Sequence, residues 1–87
     1  MTSKPTIIRG VVQDRNGNPI AGARAYFIAG PVALPDIAAV TDADGKFTLT
    51  SPANGSYQIG CATDQASTSV KVEVAGRDLD VEIQLPR

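Results

Sequence analysis

Two stretches of alternating apolar residues, each interrupted by a cluster rich in Asp and Gly (with Asn as well in the first), constrain the fold of this chain most strongly. The first stretch covers residues 10–23 with its turn cluster at 14–18, and the second covers residues 41–49 with its cluster at 42–45. Alternation with a period of two is typical of half-buried strands, and Asp/Asn-Gly clusters are typical of the tight turns between them. The sequence therefore predicts two β-hairpins within an all-β fold.

Period-two alternation predicts seven short strands in all, and no segment has the pattern of a helix. The predicted strands lie at about residues 7–13, 23–29, 38–41, 46–50, 56–63, 68–74 and 79–85. The residues expected to face inward are mostly aliphatic: Ile8, Gly10, Val12, Ala23, Ala25, Phe27, Phe47, Leu49, Tyr57, Ile59, Cys61, Val70, Val72, Val74, Leu79, Val81, Ile83 and Leu85. Seven strands at this spacing favour two stacked sheets, a β-sandwich.

The length and composition set bounds on the domain organisation and on the classes of partner. Eighty-seven residues suit one domain, which we expect at 7–87 after a disordered arm at 1–6. The net charge is −1 and the basic residues form no stripe, so nucleic-acid binding is not expected. A single cysteine excludes an intrachain disulfide, and no apolar run is long enough to insert into a membrane.

The turn and core residues resemble those of the carboxypeptidase regulatory-like domain family, and the resemblance implies a transthyretin-like (prealbumin-like) Greek-key sandwich. The resembling positions are Gly10, Val12, Asp14, Gly17, Pro19, Ile20, Gly22, Ala23, Thr41, Asp42, Asp44, Gly45, Phe47, Leu49, Gly55 and Tyr57. The resemblance covers about residues 7–85 and implies a generic β-module found attached to peptidases, surface proteins, outer-membrane receptors and secretion machinery. It implies no catalytic residue, because the matching positions are turn and core positions.

The residue types present argue against catalysis and against a bound cofactor or metal. The chain has no histidine, which removes the common neutral-pH base and the imidazole ligand. Asp42 and Asp44 supply too few oxygens for a calcium site and suit a turn better. Cys61 has no cationic neighbour in sequence and is expected to be a buried thiol. An internal isopeptide bond is not expected, because Lys46 and Lys71 fall on outward faces and Lys4 precedes the first strand.

The apolar segment at residues 30–37 is the feature that turn chemistry explains least, because loops are usually polar. Its side chains have two open interpretations, as a cap on the core or as an exposed contact surface. In the second interpretation, they would join outward residues of the strands, including Ile7 and Val11, in one apolar patch. The proposed protein contacts are Tyr26, Ile28, Val32, Leu34 and Ile37.

We therefore expect a non-catalytic structural or interaction module that docks to a protein partner or to a copy of itself. An adaptor or tip component of a secretion or injection apparatus is an alternative, and a carbohydrate-binding module is another. The carbohydrate alternative is weaker, and a small-molecule ligand is not expected, because three of the four aromatic residues are predicted to point inward. No secretory signal is seen, which favours the cytoplasm if Met1 is native, with an extracellular or machine-associated location left open.

Overall fold

The computed structural model describes residues 5–34 and 38–86, and in that part of the chain all regular structure is β-strand. The strands are β1 (Thr6–Gln13), β2 (Arg24–Ala29), β3 (Ala38–Val40), β4 (Lys46–Ser51), β5 (Gly55–Ala62), β6 (Ser67–Val74) and β7 (Leu79–Gln84). The predicted seven-stranded sandwich is confirmed, with strand ends close to those expected. The described residues contain no helix able to cross a membrane.

The strands form a three-stranded sheet and a four-stranded sheet. The first has the order β4-β1-β7, in which β1 is antiparallel to β4 and parallel to β7. The second has the order β3-β2-β5-β6 and is antiparallel throughout. The chain changes sheet after β1, β3, β4 and β6, so strands that pair in space are often distant in sequence.

The prediction of hairpins at the two turn clusters is wrong, because each cluster joins strands of different sheets. β1 and β2 lie in different sheets, and so do β3 and β4. After the first turn, the chain pairs with the end of β1 only briefly. The pairing consists of the antiparallel bridge between Gln13 and Pro19, and it ends at the hydrogen bond from Ile20 N to Val12 O, 2.9 Å. The chain then crosses to the other layer, where Ala25 on β2 is buried in the same core as Ile8 on β1.

The turns themselves are closed as predicted, and both use the same hydrogen bonds. Asp42 Oδ1 accepts from Asp44 N and Lys46 N, both at 2.9 Å, and Asp14 Oδ1 accepts from Asn16 N at 2.9 Å and Asn18 N at 3.0 Å. In each turn a glycine three residues after the aspartate has a positive φ, 73° in the case of Gly45. Such Asp-capped turns fix the chain reversal without any bound ion.

Thr41 ties the two turn regions together inside the sandwich. Its buried hydroxyl accepts from Ala23 N at 2.9 Å and donates to Ile20 O at 2.7 Å, while Thr41 N donates to Ala23 O at 2.9 Å. Gly45 O accepts from Val12 N at 2.8 Å and so links the second turn to β1. These bonds hold the chain at both places where it passes between sheets on this side of the domain.

The core lies between the sheets and consists mainly of the residues predicted to face inward. The buried apolar residues are Ile8, Val12, Ile20, Ala23, Ala25, Phe47, Leu49, Tyr57, Ile59, Cys61, Val74, Ile83 and Leu85. Val70, Val72, Leu79 and Val81 are only partly buried and pack against them. Tyr57 keeps its hydroxyl satisfied, since it donates to Ala53 O at 2.7 Å and accepts from Ala53 N at 3.2 Å.

Phe47 occupies the space that a side chain on the neighbouring strand would need. Phe47 pairs with Gly10 across β4 and β1, and a Cβ atom at Gly10 would overlap the Phe47 ring. Gly10 also pairs with Val81 on the other side of β1. The central strand therefore needs a residue without a side chain at this position, and the ring fills the gap.

The first strand starts one residue earlier than predicted. Thr6 belongs to β1 and is buried, and Ser51 Oγ donates to Thr6 O at 2.9 Å. The predicted disordered arm at 1–6 is therefore wrong for Thr6. Residues 1–4 lie outside the described residues.

We expect Gly10→Ala to destabilise the domain by roughly 2 to 3 kcal/mol, because the added methyl group forces Phe47 out of its place in a close-packed core. The free energy of unfolding in urea measures the effect. The double variant Gly10→Ala, Phe47→Leu should lose less than the sum of the two single changes, because the smaller side chain leaves room. Strict additivity would contradict this account of the contact.

We expect Thr41→Val to lower the free energy of unfolding by about 2 to 4 kcal/mol, because it leaves Ala23 N and Ile20 O without their partner in a buried site. Thermal denaturation followed by circular dichroism is the measurement. Thr48→Val is the matched control, since Thr48 is an exposed strand residue. Equal effects at the two positions would show that the Thr41 hydroxyl has no special structural role.

Candidate protein interface

The outer face of the four-stranded sheet carries most of the exposed apolar side chains. The register aligns Ala38, Tyr26, Gly60 and Ser69 in one row across the four strands. A second row begins with Val40 on β3 and continues through Arg24 on β2. Ile28 and Val40 are 51% and 62% exposed.

Ile28 lies at a β-bulge in β2. Phe27 pairs with Ile59, but Ala29 pairs with Gln58, so Ile28 is an extra residue in β2 without a partner on β5. A bulge of this kind bends the strand and redirects a side chain. Phe27 precedes the bulge and packs against the core, with its ring centroid 5.0 Å from that of Tyr57, while Ile28 lies on the outer face.

Gly60 lies directly beneath the side chains of Tyr26 and Ile28. A Cβ atom at Gly60 would lie 2.6 Å from Tyr26 Cε2 and 2.9 Å from Ile28 Cδ1, so both side chains lean over β5. Gly60 is buried as a result, although it lies on the outer face of the sheet. Tyr26, Ile28, Ala38 and Val40 thus form one surface, which we call the outer patch.

The apolar loop after β2 divides between the two interpretations that the sequence left open. Leu34 is half-buried and packs against the core, and a Cβ atom on Gly30 would lie 2.9 Å from both Leu34 Cδ1 and Tyr57 Cδ1. Val32 is 45% exposed and faces outward. Ile37, the last of the predicted contacts, lies outside the described residues.

The predicted continuous patch that includes Ile7 and Val11 is wrong. Both residues are on β1, in the three-stranded sheet, and so lie on the opposite outer face of the sandwich. Their surroundings there are charged. Arg9 Nη2 lies 3.7 Å from Asp78 Oδ2, and Asp78 Oδ1 accepts from Ile7 N at 3.1 Å. The two faces of the sandwich therefore differ in character, and only the four-stranded one carries the outer patch.

Sequence reasoning found Tyr26 and Ile28 but missed Val40 and Gly60. The strand β3 has only three residues, too few for alternation to show which side chains face outward. Gly60 gives no hydrophobic signal of its own. The one available hint was a glycine within a strand, which often marks close approach by another group.

Of the other candidate groups, Asp42 has a structural role, Cys61 is buried, and Lys46 and Lys71 lie on the surface. Asp42 caps its own turn, and no cluster of three or more potential metal ligands occurs in residues 5–34 and 38–86. Burial raises the pKa of the Cys61 thiol, which disfavours the reactive thiolate. Lys46 and Lys71 lie exposed, as predicted.

Comparison with known proteins identifies the family. The sequence model of the carboxypeptidase regulatory-like domain matches residues 7–86, which is nearly the whole chain. The chain belongs to the carboxypeptidase regulatory-like domain family. The residues that carried the resemblance are the turn, core and tie residues described above, including Thr41 and Gly10. No curated protein matches this family member in sequence.

Solved structures share the fold of this carboxypeptidase regulatory-like domain at low sequence identity. The major pilin subunit of Bacillus cereus superposes with a TM-score of 0.74 and 15% identity, over 94% of this chain and 29% of that one. A chain of a type II cohesin-X-dockerin complex from Acetivibrio cellulolyticus gives a TM-score of 0.68 and 20% identity, over 92% and 56%. A DUF3823 family protein from Parabacteroides merdae gives 0.55 and 16%, over 97% and 46%. The domain thus spans between under a third and just over half of these longer chains.

We expect Gly60→Ala to destabilise the domain by roughly 1 to 3 kcal/mol, because the methyl group displaces Tyr26 and Ile28 from the surface of β5. The penalty should shrink in a Tyr26→Ala background, where the ring is absent. Urea unfolding of the four proteins in this double-mutant cycle measures the coupling. Independent effects would mean that the ring does not rest on Gly60.

Proposed function

We propose that this domain is a non-catalytic protein-binding module, and that the outer patch docks a protein partner. One observation carries the proposal: the exposed side chains of Ile28, Ala38 and Val40 lie together with the half-buried Tyr26 on one outer face. The opposite outer face carries the ion pair between Arg9 and Asp78. Contiguous apolar surface on a small domain is typical of protein contact sites. The patch also includes a tyrosine and borders Arg24, two residue types enriched in such sites.

The rigidity of the patch supports the same role. Its side chains stand on paired strands, and Tyr26 and Ile28 are held against Gly60. A surface that is already ordered loses little conformational entropy when it binds. Val32 lies exposed in the loop that leaves β2 and extends the proposed contact set, whereas Leu34 contributes chiefly to the core.

The chemistry of the chain supports binding in preference to catalysis. The sequence lacks histidine, the Asp42 carboxylate is engaged by its own turn, and the Cys61 thiol is buried. The family is described as regulatory-like, and the similar solved structures include a pilin subunit and part of a cohesin-X-dockerin complex. By analogy with those assemblies, we place this domain as a component of a larger protein assembly.

A carbohydrate-binding role has less support. Sugar sites usually offer an aromatic ring with a free face beside polar groups. Phe47 and Tyr57 are buried in the core, Phe27 packs against it, and the Tyr26 ring leans on Gly60. Of the four aromatic residues, Tyr26 alone lies on an outer face, so the domain offers a single ring for stacking a sugar.

We expect Ile28→Lys and Val40→Lys to weaken partner binding by at least about tenfold, because each places a charge in the centre of an apolar contact. A photo-crosslinking residue at position 26 in the intact domain, exposed to lysate of the native source, identifies the partner. Titration of the purified partner with each variant then gives the affinity.

Thr48→Lys is the matched control, since it adds the same charge to an exposed strand position in the other sheet. All three variants should keep their stability to within about 0.5 kcal/mol, as surface substitutions usually do. Crosslinks that form equally well from position 48, or lysine variants that bind as tightly as the natural sequence, would contradict the proposed docking face.

A further inference from the structure

The strand β6 ends the order β3-β2-β5-β6, so one of its backbone sides has no neighbouring strand among the described residues. It is eight residues long, contains no proline and alternates regularly between exposed and partly buried residues. The strand at the other end of this sheet, β3, has only three residues. A long regular edge such as β6 is a template for pairing with another strand.

The hydrogen bonds of the β5–β6 hairpin show which groups face this free side. Thr63 N donates to Ala66 O at 2.8 Å at the turn, and the register then pairs Cys61 with Thr68 and Ile59 with Val70. In an antiparallel ladder, hydrogen-bonded pairs alternate with pairs that point their N–H and C=O groups away. The outward groups on β6 are therefore those of Ser67, Ser69, Lys71 and Glu73.

The core is also incompletely covered along this side of the sandwich. Val70 and Val72 are only half-buried, although their partners on β5, Ile59 and Tyr57, are almost fully buried. On the facing sheet, Leu79 and Val81 of β7 are likewise half-buried. A strand added to β6 would bring further side chains against this apolar margin.

We propose that β6 pairs antiparallel with β6 of a second copy of this chain, with Val72 opposite Val72 at a two-fold axis. This register sets Lys71 of each copy opposite Glu73 of the other on the outer face. On the inner face it sets Val70 opposite Val74. The outward N–H and C=O groups of Lys71 then meet those of Glu73 in a hydrogen-bonded pair, as an antiparallel ladder requires.

Charge selects this register over its neighbours. In a symmetric pair, inward residues must lie opposite inward residues. The register can therefore change only by two residues at a time, which moves the two-fold axis by one residue. A two-fold axis at Lys71 would oppose two lysines, and one at Glu73 would oppose two glutamates. An axis at Val70 would leave both charges opposite serines. Only the axis at Val72 pairs both charges with their opposites.

The other long exposed strand on this side does not offer the same complementarity. The outer residues of β7 include Asp80 and Glu82, and no lysine or arginine lies between them. Two copies of β7 would bring these acidic side chains together, which is unfavourable. The edge of β6 is thus self-complementary, whereas the edge of β7 repels its own copy.

The dimer would form one continuous eight-stranded sheet from two four-stranded ones. Because outer residues pair with outer residues, both outer patches would lie on the same face of that sheet. A partner with two sites could then engage both copies, which raises its apparent affinity. The pairing itself does not depend on the proposed partner binding, since it uses β6 and not the outer patch.

Sedimentation equilibrium of the purified protein tests the pairing directly. We expect Lys71→Glu and Glu73→Lys each to weaken dimerisation by about tenfold, because each change opposes like charges in two places. An equimolar mixture of the two variants should dimerise again, and so should the double variant Lys71→Glu, Glu73→Lys. Glu82→Lys on β7 is the control for charge reversal alone and should leave the dimer unchanged.

Cross-linking tests the register. We expect Val72→Cys to give a disulfide-linked dimer on oxidation, since position 72 faces itself and the natural Cys61 is buried. Val70→Cys, which faces position 74, should cross-link much less. A natural chain that stays monomeric to millimolar concentration, or a mixture of charge variants that does not recover the dimer, would overturn the proposal. Ile28→Lys should not affect dimerisation, which separates this outcome from failure of the proposed function.

Discussion

The hydrogen bonds around Thr41 are the constraint on which the rest of the fold depends. They join residues 20–23 to the strand end at 41, at the point where the chain passes from one sheet to the other. Without such a tie, the two Asp-capped turns would favour ordinary hairpins, because they close locally in the same way. The buried hydroxyl satisfies backbone groups that no strand pairs with at this crossing. Sheet membership, and therefore the two outer faces, follows from this arrangement.

The crossing pattern gives the sandwich two outer faces with different chemistry. Apolar side chains gather on the four-stranded face, where Tyr26 and Ile28 lie over the small Gly60. The three-stranded face presents charged residues and an ion pair between Arg9 and Asp78. Because of this difference, the proposed docking face is the four-stranded one. It also leaves the edge of β6 as a separate surface with its own charge pattern.

Much of the fold was predictable from local patterns. Alternation located all seven strands and most of the core, because a half-buried strand shows its inner face within a few residues. The family resemblance rested on turn and core residues for the same reason. Which strands share a sheet was not predictable from alternation, since pairing joins residues far apart, as Ile8 with Leu79. The hairpin prediction failed there, and with it the expected continuity of Val11 with Tyr26.

For the candidate interface, the sequence alone determined that Tyr26 and Ile28 alternate with core residues and that an apolar loop follows them. Only the tertiary structure decided that Leu34 packs inward, that Val40 lies beside Tyr26 in the same surface, and that Gly60 supports it. The physical reason is that exposure depends on what covers a side chain. That covering comes from another strand or layer, which no local spacing specifies.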